Sequence, residues 1–264
     1  MSIQENSEPR LVPAVERATR LLDALAGARE PQSLADLART LDLPKSSVHG
    51  LLSTLVALGL ARRDPDGQFA LGAKPLQWAD AYAAQSDVLR AFDAHAREVA
   101  ALQAETVMLA VLDGVDVTYL ACRQGSRPLA VNFRVGGRFP AACTSSGKAM
   151  LATLPEARIR ALFAQQPPQK LTRHSIGSVE SLLAQFEEFR PMGYAIDDEE
   201  TAEGMHCFGA PVFAARRSEA VAAVAVSAIK AAITPQRRAE LVAAIRLLAA
   251  RMSAHLGAEP RAAL

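Results

Sequence analysis

The sequence predicts a two-domain α+β protein: an N-terminal winged helix-turn-helix, a linker helix, and a larger domain with an antiparallel sheet and flanking helices. Three observations predict it. Residues 12–75 contain three stretches with apolar side chains at helical spacing, followed at once by two short strands around a turn. Residues 106–256 run strands, then helices, then strands, then a long helix, an order that suggests an α+β domain with an antiparallel sheet. The chain has 264 residues, enough for two modest domains.

In the first helix Ala14, Val15, Ala18, Leu21, Leu22 and Leu25 line one face, and Gly27 closes it. Ser33 opens the second helix with the acidic Asp36 three residues on, a capping-box pattern, and Leu34, Leu37, Ala38 and Leu41 form its stripe. Pro44 suits the first turn of the third helix, where a missing N–H goes unnoticed. Val48, Leu51, Leu52, Leu55 and Leu58 are its expected buried face, and Gly59 its stop. Two short helices joined by so tight a turn describe a helix-turn-helix. Leu60–Arg63 and Gln68–Leu71 around Asp64-Pro65-Asp66-Gly67 then read as a hairpin, the wing.

Residues 75–86, with Trp78 and Tyr82 four apart, read as a connecting helix, and residues 87–104 as its continuation with Val88, Leu89, Phe92, His95, Val99 and Leu102 inward. His95 reads as a packed or surface histidine. Val107–Leu112, the Asp113-Gly114 turn and Val115–Cys122 form a second hairpin, and Leu129–Phe133 a third strand. Helices are expected over 146–190 with a break near Pro167-Pro168, and strands over 193–197, 206–215 and 220–229. A final helix is expected from Thr234-Pro235 to about Leu256.

Half of the residues are hydrophobic and 22% are charged, the composition of a globular domain. No apolar run approaches the roughly 20 residues needed to span a bilayer. Residues 1–10 are polar with both signs of charge, unlike a leader peptide, so the chain reads as cytoplasmic, with no membrane partner. Net charge is +1, and the first 75 residues balance nine Lys and Arg against nine Asp and Glu. Charge therefore gives no support to a polyanionic partner; pattern and placement must. Lys45, Ser46, Ser47 and His49 open the third helix and would face the major groove. Arg62 and Arg63, on the wing, are placed to meet phosphates. The same pattern also fits a packing or protein-interaction module, since polar residues at a helix start are often only caps.

The chain resembles the isocitrate lyase regulator (IclR) family over nearly its full length. The N-terminal match runs through Val15-Glu16-Arg17-Ala18, Leu43-Pro44-Lys45-Ser46-Ser47-Val48-His49 and Arg62-Arg63-Asp64. The C-terminal match is Ser146-Gly147-Lys148-Ala149-Met150-Leu151-Ala152, Gly193-Tyr194-Ala195, the run from Asp197 to Glu200, and Gly204 through Cys207 to Pro211-Val212. The resemblance implies a winged helix joined by a linker helix to a GAF-like effector domain. It also implies homodimers or homotetramers that bind palindromic double-stranded DNA as repressors or activators of catabolic operons and answer to a small carboxylic or aromatic acid. The expected division is a flexible tail (1–11), the DNA-binding domain (12–74), the linker helix (75–88), the effector-binding domain (89–258) and a tail (259–264).

By position the resemblance carries the effector pocket to Ser145, Ser146, Asp197 and Cys207, with Met205 in its apolar lining. The chemistry is reasonable. Residues 145–147 precede a helix, so their N–H groups are donors for a carboxylate, although Ser145 as a plain N-cap fits equally well. An ionised Asp197 would repel such a ligand, so it is expected to accept from a ligand hydroxyl or to stay protonated and donate. Asp198, Glu199, Glu200 and Glu203 read as a solvated acidic turn.

Cys122, Cys143 and Cys207 are too few and too widely spaced for a disulfide framework. His206 and Cys207 are neighbours on a strand and point to opposite faces, so they do not share a metal. No metal or organic cofactor is expected. A cysteine-dependent enzyme is the alternative from another class, but His174, His206 and His255 fit no nucleophile–base pattern, so no catalytic residue is assigned. Gly50 departs from the family, many of whose members carry Arg there; in a helix interior Gly costs roughly 1 kcal/mol against Ala and supplies no DNA contact.

Overall fold

The computed structural model describes residues 11–126 and 133–259. The chain divides between Gln85 and Ser86 into two compact units.

In the first unit, α1 (Pro13–Gly27), α2 (Leu34–Leu41) and α3 (Lys45–Ala57) precede the hairpin β1 (Ala61–Arg63) and β2 (Phe69–Leu71). Ser33 caps α2, its hydroxyl oxygen accepting from the Asp36 N–H at 3.1 Å. Asp42 then turns the chain in the left-handed region at φ 52°, and Pro44 takes the N-cap of α3. Leu21, Leu25, Leu37, Leu41, Val48, Leu52, Leu55, Leu60 and Phe69 form the core. Gln32 exchanges backbone hydrogen bonds of 2.8 Å with Phe69, adding a rung to the wing that the sequence did not announce. Leu58 is a correction: expected inside, it is 52% exposed. The helix ends at Ala57 and Gly59 turns the chain at φ 73°, so Leu60 takes the core position instead. Helix α4 (Lys74–Gln85) follows the wing and buries none of its side chains.

The second unit is organised around a sheet with strand order β5-β4-β3-β8-β7-β6, antiparallel at every pairing. Its strands are β3 (Thr106–Asp113), β4 (Asp116–Arg123), β5 (Arg138–Pro140), β6 (Ala195–Asp198), β7 (Met205–Val212) and β8 (Ala222–Ile229). On one face Val107, Leu109, Phe208, Val212, Val224 and Val226 pack with α5 (Asp87–His95) and α9 (Pro235–His255). On the other, Met108, Val117, Tyr119, Cys207 and Ala225 pack with α6 (Ser145–Leu151), α7 (Glu156–Leu162) and α8 (Val179–Met192).

Three expectations change here. The helix expected over 87–104 ends at His95 and resumes only as one 3-10 turn, Ala100–Leu102. Tertiary contact explains the break: Arg237 of α9 donates to the Ala101 carbonyl and to the buried Glu105 carboxylate, both at 3.0 Å, while Val99 and Leu102 turn into the core. Strand β5 was not foreseen; it pairs through Thr118↔Arg138 to Asp116↔Pro140. The strand expected over 129–133 lies, apart from Phe133, outside the described residues, and Phe133 is buried but not in a strand.

Candidate functional site

Two surfaces hold the residues singled out from the sequence. On the first unit, Lys45, Ser46 and Ser47 form the first turn of α3 with His49 close behind; Lys45, Ser46 and His49 are exposed and Ser47 is half-buried. Arg62 and Arg63 are exposed but leave β1 on opposite faces, as neighbours on a strand must. Arg63 folds back on the wing, its guanidinium 5.6 Å from the Phe69 ring centroid and its Nε donating to the Gly67 carbonyl at 3.4 Å. Gly50 is exposed on α3, and a Cβ there would meet nothing within 4 Å.

The effector candidates gather on the face of the second sheet that carries α6. Register places Asp197 opposite Cys207, Cys207 opposite Ser227, and Ser227 opposite Thr106, a buried polar row across four strands. Met205 lies next to Cys207 on the same face of β7. The adjacent row is small, Ala195–Gly209–Ala225, and the start of α6 lies on it. A Cβ at Gly209 would stand 2.5 Å from the Ser145 carbonyl carbon and 2.7 Å from the Ser146 nitrogen. Only a glycine lets the α6 backbone come this close.

Ser145 and Ser146 are buried in the first turn of α6 and do not precede it as expected. The N-cap is Thr144, whose Oγ1 accepts from the Gly147 N–H at 3.0 Å. This removes the plain-cap role from Ser145. Among the described residues, no acceptor pairs with the N–H groups of Ser145 and Ser146. The Tyr119 hydroxyl lies beside the Ser146 side chain, and the Cys207 thiol is 3.1 Å from the Ser227 hydroxyl.

Asp197 Oδ1 accepts from the N–H groups of Glu200 at 2.8 Å and Thr201 at 3.1 Å. Burial raises the Asp197 pKa above the usual carboxylate range, against the lowering pull of Thr201 and Lys148. Burial pushes Cys207 and Cys143 up as well, so both are thiols, and it raises the Tyr119 phenol. Buried thiols held in the protonated form are poor nucleophiles, which argues against the cysteine-enzyme alternative.

The acidic turn needs correcting. Asp198 and Glu203 are exposed, but Glu200 is 4% exposed and forms a buried ion pair with Lys148 of α6, itself 0% exposed. Lys148 Nζ also donates to Gln185 Oε1 of α8 at 3.2 Å and lies 5.5 Å from the Phe189 ring centroid. Burial, outweighing Lys148, pushes the Glu200 pKa up to about 6. His206 leaves the other face of β7, its Nδ1 2.7 Å from Asp198 and its ring edge-on to Phe208, with centroids 4.8 Å apart. Among the described residues no three His, Cys, Asp or Glu side chains gather as metal ligands would, and no helix is long and apolar enough to cross a membrane.

Sequence reasoning missed Tyr119, Lys148, Glu200 and Ser227. Ser227 had a signal, as the one hydroxyl in the apolar run Ala222–Ile229.

Comparison with known proteins gives a consistent result. The family model described as IclR helix-turn-helix domain matches residues 14–65, and that described as Bacterial transcriptional regulator IclR C-terminal matches residues 80–254. The chain is 30% identical over 260 residues to the HTH-type transcriptional regulator KdgR of Dickeya chrysanthemi, covering 96% of this chain and 82% of KdgR. The crystal structure of the Agobacterium tumefaciens repressor BlcR is 37% identical with a TM-score of 0.62, over 94% of this chain and 99% of that one. An IclR transcriptional regulator from Alicyclobacillus acidocaldarius is 25% identical with a TM-score of 0.81, over 94% of this chain and 100% of that one. With both family models matched in order and the winged helix and six-stranded sheet in place, the chain belongs to the IclR family and is a DNA-binding transcriptional regulator rather than an enzyme.

Proposed function

We propose that the protein regulates a catabolic operon from the cytoplasm, gripping a palindromic operator as a homodimer or homotetramer and changing that grip when a small carboxylic or aromatic acid binds. In this reading residues 12–74 are the DNA-binding domain, 75–88 the linker helix and 89–258 the effector-binding domain. Lys45, Ser46, Ser47 and His49 face base edges, and Arg62 and Arg63 phosphates.

The observation that carries the effector reading is the buried polar row Asp197–Cys207–Ser227 beside the start of α6. A carboxylate there accepts from the Ser145 and Ser146 N–H groups, and Asp197, with Oδ1 committed to the backbone, uses Oδ2 for a ligand hydroxyl. Met205, Cys207 and Tyr119 would wall the ligand. Self-association is supported by apolar side chains left in water on the first unit: Val12 and Val15 on or beside α1, and Leu76, Trp78 and Tyr82 on α4, at 53–73% exposure. The ligand acts only through different affinities for two arrangements of the DNA-binding domains.

A thermal-shift screen of small mono- and hydroxycarboxylic acids tests this, because a ligand stabilises the state it binds. At least one acid should raise the melting temperature of the wild type and not of Asp197→Ala. Equal shifts in both would overturn the assigned site.

A further inference from the structure

We propose that Lys148 and Glu200 are the positioning residues of the effector site: their buried pair ties the helix carrying Ser145 and Ser146 to the turn that holds Asp197, and sets how much negative charge the site tolerates. The inference rests on the effector reading above and extends it to residues outside the ligand's expected contacts.

The geometry runs in one chain. Asp197 is held by the N–H groups of Glu200 and Thr201, so its orientation depends on where residues 199–201 sit. That turn is held from three sides. Thr172 Oγ1 donates to the Glu199 carbonyl and Ser175 Oγ to the Glu200 carbonyl, each at 2.7 Å. Thr201 Oγ1 donates to the Cys143 carbonyl at 3.3 Å, just before α6. Lys148, one turn into α6, meets the Glu200 carboxylate. Lys148 is therefore a single side chain spanning the two halves of the candidate site, the serine N–H groups and the aspartate.

Charge makes the pair more than a strut. The groups around Asp197 are Lys148 from α6, Glu200 from its own turn, Cys207 from β7, Cys143 from the segment before α6 and Tyr119 from β4. Burial keeps the thiols and the phenol protonated, which leaves one cation against two carboxyl groups. Glu200 Oε2 is buried and has no hydrogen-bond partner among the described residues, and Lys148 is the cation that compensates that carboxylate, with the Ile176 backbone adding a smaller lowering pull. With both carboxyl groups ionised the cluster already carries one net negative charge before any ligand enters. Such a site takes a monoanionic acid, aided by a proton on one of the two carboxyls, and rejects a dianion.

Carboxyl-carbon NMR titration of Asp197 and Glu200, with amide exchange, in the full-length chain tests the proposal without any effector. In Glu200→Gln, which preserves shape and an acceptor for Lys148, the ammonium is opposed by Asp197 alone. The Asp197 midpoint should then fall by about one pH unit or more. In Lys148→Gln the Glu200 midpoint should rise, and the Glu200 and Thr201 amides should exchange at least about ten times faster. An Asp197 midpoint unmoved in Glu200→Gln overturns the proposal, and that variant decides alone if Lys148→Gln does not fold. If the titrations move as stated but no acid in the screen stabilises the protein, the positioning stands and the effector reading falls. If an acid binds while midpoints and exchange stay put, the positioning falls and the effector reading stands.

Discussion

The winged-helix unit keeps its candidate contact residues in water: Lys45, Ser46, His49, Arg62 and Arg63 are exposed over an apolar core to which they add little. The effector unit does the opposite. Ser145, Ser146, Asp197 and Cys207 are buried, within a network that also positions α6 against the sheet. DNA must be met from outside by side chains free to reorganise, whereas a small acid is recognised by removing it from water among groups already in place. Function and stability are therefore separable in the first unit and entangled in the second. Substitutions in the two units should accordingly differ in kind as well as in size.

The largest effect belongs to the buried pair. Lys148→Met leaves the buried Glu200 carboxyl without its cation, and should cost the second unit about 3–5 kcal/mol. The double variant Lys148→Met/Glu200→Leu should recover part of it in a urea titration, since the Glu200 carboxyl is removed together with its partner and only the buried Asp197 loses its cation. A single variant with unchanged stability would show that the pair does not hold the unit together.

Next comes Gly209→Ala, whose Cβ must displace the α6 backbone at 2.5 Å rather than a flexible side-chain end. It should cost about 1–3 kcal/mol as overpacking does, and blunt any response to acids. Retained stability together with an intact response would mean that the start of α6 yields easily.

The pH dependence follows from Glu200, whose pKa rises from 4.5 to about 6 on folding. The folded state holds this proton more tightly, so the contribution is fully present below pH 4.5 and is lost as pH rises through about 6. Relative to Glu200→Gln, the wild type should lose about 2 kcal/mol across that window, since a tenfold change in proton affinity is worth about 1.4 kcal/mol. Parallel stability curves for the two proteins would contradict it.

In the first unit effects on stability shrink or reverse. Gly50→Ala, in open space on an exposed helix face, should stabilise by about 1 kcal/mol in thermal unfolding. Lys45→Ala and Arg62→Ala should leave stability within about 0.5 kcal/mol. Each should weaken DNA binding and lower the slope of log affinity against log salt by about 1. A loss of stability alongside the loss of binding would erase the contrast between the units.

The first unit was largely legible in the sequence because its signals are local. Ser33 caps, Asp42 turns, and Gly59 stops a helix within a few residues of the periodicity each one interrupts. The β3–β4 hairpin, whose turn falls one residue later than expected at Gly114-Val115, and the Thr234-Pro235 start of α9 were readable for the same reason. The effector unit was legible only in part. Family resemblance pointed to Asp197 and Cys207, and the register sets them side by side. Nothing near Lys148 marks it as buried, because its partner lies 52 residues away. The break after His95 depends on Arg237, 136 residues beyond the Ala101 carbonyl it binds. Strand β5 is three residues long and exists by virtue of its edge pairing with β4.

Acid-gated DNA binding is tested most directly by an anisotropy titration of the DNA upstream of the protein's own gene, with and without the acid selected by thermal shift, for wild type and Asp197→Ala. Both proteins should bind in a salt-dependent way, and adding the acid should change the affinity of the wild type only. An acid response of equal size in Asp197→Ala, or salt-independent binding by either protein, would contradict it.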